Sequence, residues 1–351
     1  MRRTSRVYLK YVNQGKLDTL RDFLNNYARA TNYSITRMWS SHDTSPQLAD
    51  KNFTDAIKTR FNTTSRLSQC IAKQAKETVR SQEAHGYMRI PRNKSHIAQL
   101  DSRFTTLSPF KGEFDYCVKF GSGVPNVILP FYTTPHMRKY IDNGWVMSKS
   151  LRLGYDPKGV FIDIIFEKEK PEPKKTGKLI GIDLGYRCLL HTSDRQTIGE
   201  ELKHKIERAG KRRKSYHHYI TTETYKEIKK LDLTNVNAIA IENLKNVKKN
   251  KRGKFPRHVN RFLSFWHYAK AITRLQHLCE ERGIPIHFKD PWKTSQRCPS
   301  CGNTDKKNRN RDRFLCLKCG FADNADYVGS KNLEVLGLAG VYSLRLLENQ
   351  S

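Results

Sequence analysis

Leu17, Leu20, Leu24, Tyr27, Ile35 and Met38 recur at helical spacing and predict a helix from about Lys16 to Trp39. Ile57, Phe61, Ile71 and Val79 repeat the pattern from Phe53 to Val79, so the first hundred residues read as mostly helical. From Phe104 to Lys170 the rhythm shifts to short apolar runs punctuated by glycine and proline, among them Tyr116-Cys117-Val118, Val127-Ile128-Leu129 and Val160 to Phe166. They predict a β-rich module, a small barrel completed by an opening strand from Arg6 to Tyr11. Lys168 to Gly177, with Pro171 and Pro173 among charges, reads as a linker. Beyond it, apolar strands ending at Asp183, Glu242 and Phe288 alternate with helical stretches. One of these is a basic run from Glu200 to Lys230. The other carries an apolar face of Phe262, Phe265, Trp266, Ala269, Ile272, Leu275 and Cys279 and ends at Gly283. Such alternation predicts an α/β layer. A last helix is expected to begin at an Asp323 cap and to stop at Gly337.

Two of these strands place an acid where an apolar strand rarely carries one. Asp183 stands between Gly181 and Gly185, and Glu242 closes Ala-Ile-Ala-Ile. Asp326 falls in the first turn of the last helix, on the side expected to face the sheet. Two strand-end acids and one from an adjoining helix can converge on a pair of divalent cations about 4 Å apart, which suits phosphodiester hydrolysis. Magnesium matches all-oxygen ligands. Each acid also has an ordinary reading, as a turn residue, a solvated strand end or a second cap. A Gly-Ile-Asp-Leu-Gly turn equally suits a phosphate loop of actin-like and sugar-kinase ATPases. That alternative calls for further glycine-rich phosphate loops, and the chain has neither GxGxxG nor GxxxxGK[ST].

The cysteines divide into two sets. Cys70, Cys117, Cys188 and Cys279 lie singly in apolar contexts and read as small buried thiols without chemistry. Cys298-x2-Cys301 and Cys316-x2-Cys319 are separated by fourteen residues, and each pair is followed by a glycine, Gly302 or Gly320. Two such knuckles predict one closed, structural four-sulfur zinc site. Two disulfides are the alternative, disfavoured in an intracellular setting.

Charge changes the picture of partners. Sixty-five Lys and Arg oppose 34 Asp and Glu, a net +31, the footprint of a nucleic-acid-binding protein. Lys203, Lys205, Arg208, Lys211, Arg212, Arg213 and Lys214 form one basic run, and Lys245, Lys248, Lys249, Lys251 and Arg252 lie in another. The two flank the strand bearing Glu242. They are expected to contact phosphates in a salt-sensitive, sequence-independent way, with Tyr216, His217, His218 and Tyr219 nearby as candidates for base stacking. No apolar window approaches a membrane span and the start is polar, so no membrane partner is expected and an intracellular location is.

The order Gly181-Ile-Asp183-Leu-Gly185, Ile239-Ala-Ile-Glu242-Asn-Leu, Thr294-Ser-Gln-Arg-Cys298-Pro-Ser-Cys301-Gly, Cys316-Leu-Lys-Cys319-Gly and Asp326-x5-Asn332-Leu333 resembles TnpB, the transposon-encoded RNA-guided nuclease, and its relatives, the compact type V CRISPR effectors and Fanzor proteins. The resemblance is motif-by-motif from about Lys178 to Leu336 and architectural before it. It departs where the family usually shows two alanines and this chain has Gly329 and Ser330, and the chain is short for the family. The resemblance implies α/β plus β-barrel and helical-lobe architecture. An RNase H-like RuvC domain would span 173–297 and 321–351, with the zinc ribbon inserted at 298–320. A wedge barrel of oligonucleotide-binding type would span 1–15 and 104–172, with a helical recognition lobe at 16–103. It further implies two catalytic magnesium ions on Asp183, Glu242 and Asp326, one zinc, a guide RNA and a target DNA cut beside a short flanking motif. The expected setting is the prokaryotic cytoplasm, at the nucleoid, and the expected state a monomer. Alternatives are a CRISPR effector, a catalytically silent RNA-guided repressor, a nucleic-acid-binding protein without chemistry, and an unguided resolvase-like nuclease.

Overall fold

The computed structural model describes residues 1–41, 50–86, 88–185, 188–209, 216–244 and 268–348. The chain divides into two compact units, Met1–Glu169 and Lys170–Ser351.

In the first unit, β1 (Arg2–Tyr8) is followed by α1 (Gln14–Ser40), α2 (Lys51–Phe61) and α3 (Ser65–Ala84). Asn13 caps α1 by accepting from the Lys16 N–H, at 2.9 Å. The single helix expected from Phe53 to Val79 is two. The chain turns through a left-handed Asn62 (φ 49°), and Thr64 caps the new helix by accepting from Leu67. Then come β2 (His96–Leu100), β3 (Thr105–Pro109), β4 (Tyr116–Phe120), β5 (Ile128–Phe131), α4 (Pro135–Ile141), β6 (Val146–Asp156) and β7 (Gly159–Glu167). Two antiparallel sheets result, ordered β1-β7-β6-β2 and β3-β4-β5. The opening strand pairs with β7, from Arg2 opposite Glu167 to Tyr8 opposite Phe161, and so lies earlier in the chain than Arg6 to Tyr11. Helices and sheets share one core, with Leu20, Leu24 and Ile35 of α1, Ile71 and Val79 of α3 and Ile162, Ile164 and Phe166 of β7 all fully buried.

The second unit carries β8 (Lys178–Asp183), β9 (Leu190–Thr192), β10 (Thr197–Ile198), α5 (Leu202–Ala209), α6 (Tyr216–Lys229), β11 (Val236–Glu242), α7 (Tyr268–Glu281) and β12 (Ile286–Lys289). They form a five-stranded mixed sheet ordered β10-β9-β8-β11-β12. The pairs β8–β11 and β11–β12 are parallel, while β9 and β10 run antiparallel. A three-stranded antiparallel ribbon follows, β13 (Arg309–Asn310), β14 (Arg313–Leu315) and β15 (Ala322–Asn324), and then α8 (Ala325–Leu338) and α9 (Leu344–Glu348).

Helix α8 lies on the centre of the mixed sheet, and small residues let it come close. A Cβ on Gly181 would stand 1.8 Å from the Ser330 carbonyl oxygen, so β8 and the helix backbone meet where only glycine fits. Residues Ser330, Leu333 and Leu336 of α8 are fully buried. The cap of α8 is Asn324 rather than Asp323, its side chain accepting from the N–H groups of Asp326 (2.8 Å) and Tyr327 (3.3 Å). Asp323 instead pairs with Arg195 at 2.9 Å. The helix also runs past Gly337 to Leu338. Of the apolar face expected before Gly283, Phe262, Phe265 and Trp266 lie outside the described residues; Leu275 and Cys279 are buried on α7.

A candidate two-metal nuclease centre and its zinc ribbon

Asp183 and Glu242 are the last residues of two neighbouring parallel strands. Ile182 stands opposite Ile241 in that pairing, so the two acids come side by side at one edge of the sheet. Their carboxyls share a hydrogen bond. Asp326, from the first turn of α8, adds a third carboxylate whose charge acts on both. Acids far apart in the chain therefore converge because a parallel register and one helix crossing bring them together.

Burial, the charge and hydrogen bond of Glu242 and the charge of Asp326 push the Asp183 carboxyl well above the usual carboxylate range, against the pull of Arg309. Burial also raises Glu242, while hydrogen bonds from Asp183 and Thr294 and the charge of Arg309 hold it back. The stronger rise at Asp183 favours the protonated acid on its side of the Asp183–Glu242 hydrogen bond. Two buried acids pressed together are costly on their own, and a bound cation removes that cost.

Residues that carried no role in the sequence reading complete the surroundings. The Thr294 hydroxyl lies 3.5 Å from Glu242 Oε1, and Arg309 of the ribbon donates to Asp326 Oδ1 at 3.3 Å. Asn332, fully buried, donates to the carbonyls of Thr294 and Arg297, both at 2.8 Å, and of Val328 at 3.1 Å, and accepts from Arg297 at 3.1 Å. It staples the segment before the ribbon to α8. Thr294, Arg297 and Asn332 stood in the quoted motifs, but their partnership shows only once the chain is folded. Gly329, in place of the family's alanine, faces Asp183, and a Cβ there would stand 3.2 Å from the carboxyl carbon.

The four paired cysteines are together and free of disulfides. Cys298 and Cys319 sulfurs are 3.6 Å apart and those of Cys301 and Cys316 3.5 Å. A tetrahedral four-sulfur zinc site with bonds of about 2.3 Å has edges of roughly 3.8 Å, so the set fits zinc. The knuckles repeat one hydrogen-bond pattern. Cys298 N–H donates to Asn303 and Gly302 N–H to Cys298; Cys316 N–H donates to Phe321 and Gly320 N–H to Cys316. Gly302 (φ 76°) and Gly320 (φ 73°) take the left-handed conformation each turn needs. Burial opposes ionisation of Cys316, but the backbone N–H groups of Cys319 and Lys318 outweigh it and bring its thiol down to about 6.

Cys188 departs from the expectation of an inert thiol. Though buried, it touches His191, whose ring is 3.6 Å from Asp326 Oδ2. Burial pushes the thiol up to about 12 and the imidazole down, the latter against the charge of Asp326.

The basic runs are described only in part. Arg208 is exposed, whereas Lys205 bonds Glu223 at 2.8 Å and is half-buried. The Lys203 side chain and Lys211, Arg212, Arg213, Lys214, Lys245, Lys248, Lys249, Lys251 and Arg252 lie outside the described residues. So do the side chains of Tyr216 and His217, while His218 and Tyr219 are exposed.

Residues 268–333 match the family described as Cas12f1-like, TNB domain. The chain is 40% identical over 77 residues to the CRISPR-associated endodeoxyribonuclease Cas12f1 of Sulfoacidibacillus thermotolerans, 22% of this chain and 18% of that one. It is 32% identical over 91 residues to the TnpB-like protein aq_aa05 of Aquifex aeolicus (strain VF5), 25% of this chain and 29% of the relative. Over this part the chain is similar to Cas12f1 and TnpB-like proteins. These alignments span less than a third of either relative's length. A cryo-EM structure of a Cas12f1–sgRNA–target DNA complex shares the fold over 92% of this chain and 83% of its own, with a TM-score of 0.61 at 13% identity. Among the described residues, no helix is long and apolar enough to cross a membrane.

Proposed function

We propose that the chain is an RNA-guided DNA endonuclease of the TnpB type, which uses Asp183, Glu242 and Asp326 to cut target DNA beside a short flanking motif. The carrying observation is the register that sets Asp183 beside Glu242 at the ends of two neighbouring parallel strands, with the charge of Asp326 acting on both. A turn residue, a strand end and a cap have no reason to meet in one buried place, and a repressor or a plain binding protein has no use for the cost.

The donor set is all oxygen, which fits magnesium. Two magnesium ions held by the three acids would activate water and stabilise the leaving oxygen in phosphodiester hydrolysis. The chain's own groups prepare that centre. Bound cations would offset the burial that raises the Asp183 carboxyl, Thr294 orients Glu242, and Arg309 holds Asp326 from the ribbon side. The four-cysteine ribbon takes one structural zinc and fixes Arg309. A guide RNA selects the sequence by base pairing. Arg208 and the basic runs contact phosphates. We assign the wedge barrel to 1–15 and 104–172, the recognition lobe to 16–103, the RuvC domain to 173–297 and 321–351, and the ribbon to 298–320. The working form is a cytoplasmic monomer on its RNA.

Purification with RNA from the native locus, followed by cleavage of a matched target in magnesium, tests this reading. Asp183→Ala is expected to abolish cutting while RNA and target stay bound. Undiminished cutting by that variant refutes the assignment, and cutting that survives removal of RNA refutes the guidance.

A further inference from the structure

One cluster outside the carboxylate pair and the ribbon has the chemistry of a metal site. Cys188 Sγ, the ring of His191 and a carboxylate oxygen of Asp326 all lie within 4.8 Å of one another. The three are sheltered: Cys188 is 4% exposed, and the side chains of His191 and Asp326 are 15% and 16% exposed. Ligand atoms of a tetrahedral zinc site stand roughly 3.3–3.8 Å apart, given bonds of about 2.0–2.3 Å; the His191–Asp326 separation of 3.6 Å falls within that range, whereas Cys188 Sγ and His191 Nε2, 2.5 Å apart, must part by about 1 Å to share one ion.

The histidine is already oriented for a ligand's part. Its Nε2 faces Cys188 and Asp326, while Nδ1 lies 3.2 Å from the Thr197 hydroxyl. With the ring hydrogen on Nδ1 donated to Thr197, the Nε2 lone pair points at the cluster, the outer-shell arrangement that positions metal-binding histidines. Space is kept as well. A Cβ on Gly185 would sit 3.0 Å from the Cys188 carbonyl oxygen, 3.6 Å from Asp326 Oδ2 and 3.9 Å from the Cys188 sulfur, so a side chain here would crowd the cluster. Glu200 adds a negative charge that acts on both Cys188 and His191.

We propose that Cys188, His191 and Asp326 form a second metal site, for a thiophilic dication of the zinc class, and that filling it withdraws Asp326 from the magnesium centre and silences cutting. The thiol exchanges its proton for a sulfur–metal bond, the proton leaves to solvent, and the Cys188–His191 contact becomes two bonds to one ion. The fourth position stays with water. Magnesium, which avoids thiolate ligands, does not compete for the sulfur and nitrogen. The silencing rests on the nuclease reading; the site itself does not.

The test uses the full chain with its RNA, dialysed against micromolar zinc, with metal counted by plasma mass spectrometry. Two zinc ions per chain are expected for the wild type and one, that of the ribbon, for Cys188→Ser/His191→Ala. Thr197→Val, which keeps all three ligands, is expected to weaken the second zinc by about tenfold. One zinc in the wild type, or two in the double variant, overturns the site. In parallel, zinc is added to magnesium-driven cleavage. Wild type is expected to lose activity as its second zinc binds, and the double variant to need at least about tenfold more. Cutting that persists with the second site filled overturns the silencing. A chain that binds two zinc ions and never cuts in magnesium refutes the nuclease reading and the silencing together, and leaves the site standing.

Discussion

The zinc ribbon and the carboxylate centre both gather like ligands around an intended cation, and they do so by opposite means. The ribbon draws its four sulfurs from Cys298 to Cys319, through two turns with the same hydrogen-bond pattern. The centre draws three carboxyls from the ends of β8 and β11 and the start of α8, and places them by strand register and a glycine-thin helix contact. One is a local device, the other a product of the whole second unit. Local damage should therefore open the ribbon and leave the mixed sheet folded, while a distant packing defect should undo the centre.

The largest effect is expected from Gly181→Val. Its Cβ meets the Ser330 carbonyl at 1.8 Å, so α8 must lift from the sheet, at a cost of about 3 kcal/mol or more. Cutting should vanish and the second unit should become protease-sensitive, while zinc content stays at the ribbon's value. A stable, active variant would show that the centre does not depend on this contact.

Cys316→Ser is the converse. A structural zinc contributes on the order of 10 kcal/mol to the fold that holds it, so the ribbon should open and its zinc be lost. Proteolysis should then fall within 298–320, with the mixed sheet protected. Cleavage should drop with it, because Arg309 leaves Asp326. A ribbon-open variant that cuts at the wild-type rate would separate the two regions altogether.

Asn332→Ala tests the join between them. It strands buried carbonyls of Thr294, Arg297 and Val328, and about 2–3 kcal/mol of stability should go, read as a lower Tm. The smallest effect concerns pH. Asp183 has its folded carboxyl raised, so without divalent cations the native state holds more protons than the unfolded one. Stability is then full below the ordinary carboxylate range and declines as pH rises toward the raised value. Asp183→Asn, which keeps a donor toward Glu242, should flatten that decline in thermal melts while abolishing cutting. A metal-free Tm that rises with pH across this window would contradict the shared proton.

The ribbon was legible from sequence because spacing alone defines a local site. The three acids were legible as strand ends and a helix start, and their common destination came from the resemblance. Arg309 and the Cys188–His191 pair were not legible, since their relation to Asp326 depends on where β9 and the ribbon run beside α8. The two helices over 51–84 merged in the pattern because Asn62-Thr63-Thr64 breaks them without glycine or proline. Asp323 and Asn324 are equally good caps by residue type. Only the folded chain shows which one the helix starts from, since the N–H groups of Asp326 and Tyr327 donate to the Asn324 side chain while Asp323 pairs with Arg195.

Asn324, the last residue of β15 just after the four-cysteine ribbon, is also the cap from which α8 departs, two positions before Asp326. The four-cysteine module thus leads directly into the helix of the third acid rather than being an ornament on the sheet. Anyone miniaturising this protein for delivery would have to shorten it elsewhere, because excising the ribbon removes the foothold that aims the helix.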